Sequence, residues 1–323
     1  MNVTLRQLEH ALALQRQGTF CRAAREAHLS QPAFSRSIRN LEAALGATLF
    51  DRSGPRVVPT VFGEAMLRRA AEILAQTAEI GRDLGMLAGL GTGYLTVAVA
   101  VHPAELSGAR ALGELIARYP GIRCKATLTN WRAVGEMVLS RRADVGLADV
   151  GQVLTNPQFD VQRVGQHEVL FYCRRGHPLL RQRRLTIADL VVYPVATPRI
   201  PARMEPFLAG WLTRDDHTGD LIPHIEVDEL STARSVVGSS DALSFAAPLQ
   251  IEAALRAGEL CLLPFRPPWL RLDYGFINLR GRLLPPAVAL FMEIVREIEA
   301  EVAARNRALI GEFLPGARDS GAA

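Results

Sequence analysis

Residues 29–46 read LSQPAFSRSIRNLEAALG, and Phe34, Ile38, Leu41 and Leu45 recur in it at spacings of four, three and four. That is one apolar stripe on a 3.6-residue helix. Gln31, Pro32, Ser35, Arg36 and Arg39 fall off the stripe. An amide, a hydroxyl and two guanidiniums on one free face offer hydrogen bonds and positive charge. Residues 1–60 carry eight arginines against four acids, an excess equal to the +4 of the whole chain. The remaining 263 residues sum to zero, so the basic excess lies wholly in the segment holding this helix. A local positive field favours a polyanion such as nucleic acid.

Other chemistries are poorly served. Lys125 is the only lysine and has no glycine before it, which excludes a phosphate-binding Gly-Lys-Ser/Thr loop. Cys21, Cys124, Cys173 and Cys261 lie more than 40 residues apart, with no zinc-type spacing. They are expected to be reduced thiols. No GxSxG, HExxH or helical pair of catalytic carboxylates occurs. The expectation is a protein that is not an enzyme, with no catalytic residue, metal or cofactor. No apolar run reaches the roughly 18 residues that span a bilayer, and the start MNVTLRQLEH lacks a signal-peptide stretch. A cytoplasmic protein with no membrane partner is expected. The length of 323 residues calls for more than one domain.

The elements that must position the polar face are legible around it. TLRQLEHALALQRQ predicts a helix over 4–17, and FCRAAREA a second behind Thr19. Ser30 is placed to cap the third helix, Pro32 fits its first turn and Gly46 ends it. Residues 20–45 thus have the spacing of a helix-turn-helix. ATLFDRSGPRVVPT suits a small β wing. After Thr60, Met66, Ala70, Ile73, Thr77, Ile80, Leu84 and Leu87 alternate by four and three, the pattern of a coiled-coil seam and a dimer helix. Packing of that helix on its own domain is the alternative. GLGTG is expected to be a joint.

From Tyr94 onward strands and helices alternate, which implies parallel βαβ units. The strands are YLTVAVAV, IRCKATLT, ADVGLADV and then HEVLFYCRR, VVYPVAT, HIEVDE, ALSFAAP and ELCLLPF. Helices are expected near 104–118, 132–141, 203–212, 231–238 and 249–257. LRLDYGFINLR and PPAVALFMEIVREIEAEV add a strand and an amphipathic helix. Two α/β lobes crossed near 163–168 and 264–271 fit the pattern. PGARDSGAA reads as a disordered tail.

The run from LRQLEHALAL through HLSQPAFSRSIRNLEAALGATLFDRS to PT resembles the winged helix-turn-helix of LysR-type transcriptional regulators. The match is specific in the first 65 residues and architectural beyond. The resemblance implies a mainly α winged helix-turn-helix over 1–60 and a linker helix and hinge over 61–93. An α/β two-lobed, periplasmic-binding-protein-like effector domain would follow over 94–315, with a tail over 316–323. Lobe I would hold about 94–165 and 268–310, and lobe II about 166–265. The implied protein is a sequence-specific regulator of transcription that responds to a small molecule. Its partners would be double-stranded DNA with an interrupted dyad, a small-molecule effector, a second copy in a homodimer or homotetramer, and RNA polymerase. On this reading Gln31 and Arg36 address base edges, Pro32 a thymine methyl, and Ser35, Arg39, Arg52 and Arg56 phosphates.

The effector would sit between the lobes at strand ends and helix N-termini. Those positions are His102 and Pro103, Asn130 and Trp131, Thr197 and Pro198, and Ser231 and Phe245. The family commonly carries a small hydroxyl residue or glycine where His102 and Trp131 stand here. Trp131 could stack on a ring while His102 bonds a carboxylate. Equally, Trp131 could cover its own helix and His102 be a satisfied loop histidine. Asp149 could meet a ligand hydroxyl or cap a turn. Two other outcomes stay open: a cleft plugged by His102 and Trp131 with no inducer, and a small-molecule binder without DNA function.

Overall fold

The computed structural model describes residues 3–87, 93–151, 153–182, 184–216 and 221–314. The chain divides into two compact units, the first built on Met1–Leu90 and the second on Gly91–Leu139 and Ala143–Ala323.

In the first unit, α1 (Leu5–Gln17), α2 (Phe20–Glu26) and α3 (Gln31–Leu45) precede a hairpin of β1 (Phe50–Asp51) and β2 (Val58–Pro59) and the helix α4 (Val61–Leu87). The caps follow sequence. Thr4, Thr19 and Ser30 each accept from a backbone N–H in the first turn of their helices, and Gly18 and Gly46 end α1 and α3 in the left-handed region. Leu8, Leu14, Ala23, Ala24, Phe34, Ile38 and Leu41 share one core. The alanines of α2 let α1 and α3 approach. Thr60 joins wing to helix: its N–H donates to Leu49 and its hydroxyl to the Thr48 carbonyl at 2.8 Å. A Cβ on Gly63 would lie 2.0 Å from the Leu49 carbonyl oxygen, so only glycine allows this approach.

The start of α4 packs differently from the expected seam. Leu67 and Ala70 are buried in this unit's core, with Met66 and Leu74 against it. Ala70 and Met66 are therefore core positions. Ile73 and Thr77 are exposed, the Thr77 hydroxyl donating back to the Ile73 carbonyl at 3.0 Å. Ile80, Leu84 and Leu87 lie on the helix, but their side chains fall outside the described set, as do the GLGTG joint from residue 88 to 92 and the tail from 315.

The second unit is built on a five-stranded sheet. β3 (Tyr94–Ala100) is flanked in parallel by β4 (Arg123–Thr129) and β5 (Val145–Asp149). Strand Arg271–Leu279 and β6 (Phe159–Glu168) complete it antiparallel. β3 alternates between two cores: Leu95, Val97 and Val99 face one, Ala98 and Ala100 the other, against Val134 and Val138 of helix Trp131–Leu139. β6 and strand Arg271–Leu279 are the two crossings into the second lobe. There β7 (Leu170–Arg174) pairs antiparallel with strands Ser244–Ala246 and Leu260–Leu262, not in the expected parallel order. The parallel pair is the short Ala196–Thr197 with Ile225–Glu226. The helix expected over 203–212 shrinks to a 3-10 turn and Glu205–Leu208, with Pro206 in the first turn of the latter and Gly210 just past its end.

One ion pair pins the sheet. Asp144 accepts from the Thr96 N–H and from Arg282, both at 2.8 Å, and Asp144 and Arg282 side chains are 1% and 7% exposed. Asp144→Ala is expected to destabilise the second unit by about 3–5 kcal/mol, because it leaves a buried guanidinium without its carboxylate. Urea denaturation measures this, and an unchanged midpoint would remove the pair's structural role.

Candidate functional site

Two regions carry the chemistry. The first is the outer face of α3. Its stripe of Phe34, Ile38 and Leu41 is fully buried, so the opposite face must point away from the core. Gln31, Pro32, Arg36 and Arg39 are exposed and Ser35 is half-buried. Among the described residues neither Arg36 nor Arg39 forms an ion pair, which leaves both guanidiniums available. Arg56 is exposed on the wing. Arg52 differs: it pairs with Glu42 at 2.5 Å and lies 5.1 Å from the Phe20 ring centroid. Glu42 also accepts from the Leu49 N–H at 3.0 Å, so Arg52 first of all fastens the wing to α3.

The second region is a cavity of about 430 Å³ at the C-terminal ends of β3, β4 and β5. This is where parallel strands present helix N-termini and where ligands of such sheets bind. His102, Pro103, Asn130, Trp131 and Pro198 line it. Three expected residues do not. Phe245 alternates inward and packs on Phe171 at 5.6 Å. Thr197 is fully buried behind its neighbour Pro198 in sequence. Ser231 is exposed in the first turn of its helix, and donates to Glu229 at 3.0 Å.

His102 opens a helix that continues as a π-helical turn over Ala104–Gly108, an irregularity common beside binding sites. Its Nδ1 lies 3.2 Å from Gln250 Oε1. That oxygen also accepts from the Ala247 N–H, so it is fixed as an acceptor and Nδ1 carries the proton. The bond ties the first lobe to the second. Burial pushes the His102 imidazole down to about 4, with Gln250 opposing and Arg203 assisting, so the ring is neutral near pH 7. Asn130 caps helix Trp131–Leu139 through Oδ1, which accepts from the Ala133 N–H at 3.0 Å. Trp131 is 8% exposed, and its indole N–H has no hydrogen-bond partner among the described residues. His102 and Trp131 leave the cavity open, not plugged. Asp149 does cap a turn, accepting from Gly151 N–H at 3.0 Å, and it also pairs with Arg203 at 2.9 Å. Burial pushes its carboxyl up against the pull of Arg203.

The cavity wall holds residues that strand-end reasoning missed: Glu226, Asp228 and Glu229, and Asp273 and Tyr274 of the crossing strand. HIEVDELST carries the first three in plain view, just ahead of Ser231. The crossing strand gave no local signal of its position. Tyr274 links the wall to a buried network. Its hydroxyl donates to Glu299 Oε1 at 2.5 Å, and His167 Nε2 lies 2.8 Å from Glu299 Oε2. Burial raises the Glu299 carboxyl, but the bonds led by His167 outweigh it and hold the group below its usual range.

The helix-turn-helix segment at 5–64 matches the family described as bacterial regulatory helix-turn-helix protein, lysR family. Residues 88–299 match the LysR substrate binding domain. The chain is 35% identical over 301 residues to the SDS degradation transcriptional activation protein of Pseudomonas sp. (strain ATCC 19151), covering 92% of this chain and 96% of that one. It is 28% identical to the HTH-type transcriptional regulator GbpR of Azospirillum brasilense over 90% of this chain and 85% of that one. Full-length CbnR in complex with its target DNA shares the fold with a TM-score of 0.64 at 22% identity, over 91% of this chain and 99% of that one. No helix among the described residues is long and apolar enough to cross a membrane.

The neutral, half-buried His102 makes stability depend on pH. Its folded value of about 4 lies below the ordinary 6.5, so the unfolded chain binds more protons between them. Stability is expected to be complete above about pH 6.5 and to fall as the pH drops toward 4. His102→Gln should flatten that part of the curve, as read by thermal unfolding across pH. An unchanged pH profile would show that the histidine is not the group responsible.

Proposed function

Because the chain belongs to the LysR family of transcriptional regulators, we propose that the outer face of α3 reads its operator and that the inter-lobe cavity receives the effector. The observation that carries this is the complete burial of Phe34, Ile38 and Leu41 on the α3 apolar stripe, opposite an exposed, unpaired Arg36 and Arg39. A helix so placed can enter the major groove only by its polar face. Gln31 suits an adenine edge, Arg36 the N7 and O6 of guanine, and Pro32 a thymine methyl. Ser35, Arg39 and Arg56 suit phosphates, with Arg52 a lesser contributor because Glu42 holds it. Ile73 and Thr77, exposed on α4, support pairing of two copies, which would set two half-sites in an interrupted dyad. Assembly into a homotetramer and contact with RNA polymerase belong to the same reading, as does action in the cytoplasm.

The effector would act by favouring one arrangement of the lobes, and so one geometry of the bound copies. Side-chain links that cross between the lobes can respond, among them His102 with Gln250, Asp149 with Arg203, and Glu105 with Arg234 at 2.9 Å.

Arg36→Ala is expected to cost about 1–3 kcal/mol of specific binding and to relax base choice at one position of each half-site. Footprinting of the full-length protein on fragments of its own genome, beside the variant, measures both. A footprint unchanged by the substitution would mean that α3 does not read bases.

A further inference from the structure

The cavity is acidic. Among the described residues lining it are five carboxylates, Asp149, Glu226, Asp228, Glu229 and Asp273, and one guanidinium, Arg199. Three of the carboxylates have an arginine: Asp149 with Arg203 at 2.9 Å, Glu226 with Arg199 at 3.6 Å and Asp273 with Arg163 at 3.6 Å. Asp228 and Glu229 have none among the described residues, and both are exposed. The site therefore holds a local negative excess, although the chain as a whole is positive.

The features that make such clefts attractive to anions are already used here. The N-terminus of helix Trp131–Leu139 is capped by Asn130, which takes the Ala133 N–H. Glu229 is the N-cap residue of helix Leu230–Ser239; its carboxylate makes no capping bond but accepts from the Ser231 hydroxyl at 3.0 Å, so a negative charge already stands beside the first turn of that helix. His102 is neutral near pH 7 and offers no counter-charge. Arg203 is committed to Asp149 and to the Arg271 carbonyl. An entering carboxylate or phosphate would meet unpaired acids and no free cation. A cation would meet two carboxylates that have no ion pair among the described residues, and the ring of Trp131, which lines the cavity and already lies 5.4 Å from the Arg132 guanidinium. Aromatic faces and carboxylates together are the usual surroundings of an ammonium group.

We propose that the inter-lobe cavity binds a small organic cation, an amine or ammonium compound, with Asp228 and Glu229 as its counter-charge and Trp131 as its aromatic wall. This rests on the reading of the cavity as the effector site. It narrows the ligand to one charge class and excludes free organic acids.

Benzylamine, benzyl alcohol and benzoate share one ring and differ in charge, and each fits a cavity of about 430 Å³. Calorimetric titration of the full-length protein at constant ionic strength should show benzylamine binding at least about tenfold more tightly than benzoate, the ratio one charge-assisted hydrogen bond supplies. The double substitution Asp228→Asn and Glu229→Gln, on two exposed residues, should erase the preference for benzylamine and leave benzyl alcohol unaffected. Benzoate binding as tightly as benzylamine would overturn the cation class while leaving the effector cleft in place. Benzylamine that does not bind at millimolar concentration, or binds undiminished to the double variant, would also overturn it. An intact footprint in the same preparation would show that the regulator reading survives that failure.

Discussion

A buried carboxylate survives only if donors surround it, and the second unit is arranged around one such case. Glu299, on the C-terminal helix Pro286–Phe313, is 6% exposed. Its donors come from elsewhere in the fold: His167 from β6 and Tyr274 from strand Arg271–Leu279. These are the two crossing strands. Asn306, two turns further along the helix, extends the network. Its Oδ1 accepts from the Leu249 N–H of the second lobe at 2.9 Å, which turns its NH2 toward His167 Nδ1 at 3.3 Å. Nδ1 must then accept, so the imidazole proton sits on Nε2 and faces Glu299. One charge thus ties both crossings, the last helix and the second lobe together. Losing either donor would leave one oxygen of a buried carboxylate without its hydrogen bond, which is why such networks are held as a unit. Tyr274 belongs to this network and to the cavity wall, so the position of the wall is set by the same bonds.

The first unit obeys a simpler constraint. A helix can bury one stripe, and α3 spends Phe34, Ile38 and Leu41 on the core it shares with α1 and α2. Its remaining face is free for recognition. The wing is held to the same frame by Arg52 and Glu42, and Thr60 and Gly63 fix the point where the wing becomes α4. Rigidity of this frame matters because base contacts depend on small displacements.

Much of this was legible from residue types. Ser30, Pro32 and Gly46 bound α3 where they were expected to, because caps are local chemistry. The strand ends that carry His102 and Asn130 were legible for the same reason: apolar runs stop where the sheet stops. The failures have a common cause, which is that local pattern does not say which neighbour a face meets. Met66 and Ala70 fit a heptad seam, yet at 3.6 residues per turn the apolar face of α4 drifts, and its first turns meet their own core. Phe245 lies at a strand end but on the inward side of the pleat. Strands of two or three residues in the second lobe carry too little pattern to show their direction. The acidic wall of the cavity is not legible as one site, because Glu226, Asp228 and Glu229 lie far in sequence from Asp273 of the crossing strand.

The central claim is that α3 reads the major groove through Arg36. Dimethyl sulfate interference on an operator bound by the intact protein tests it most directly, because methylation at guanine N7 removes the acceptor that a guanidinium would use. The account predicts that methylation of one guanine in each half-site blocks binding, with the two positions related by the dyad. Binding indifferent to N7 methylation throughout the footprint, or sensitive only to minor-groove adenine methylation, would contradict it.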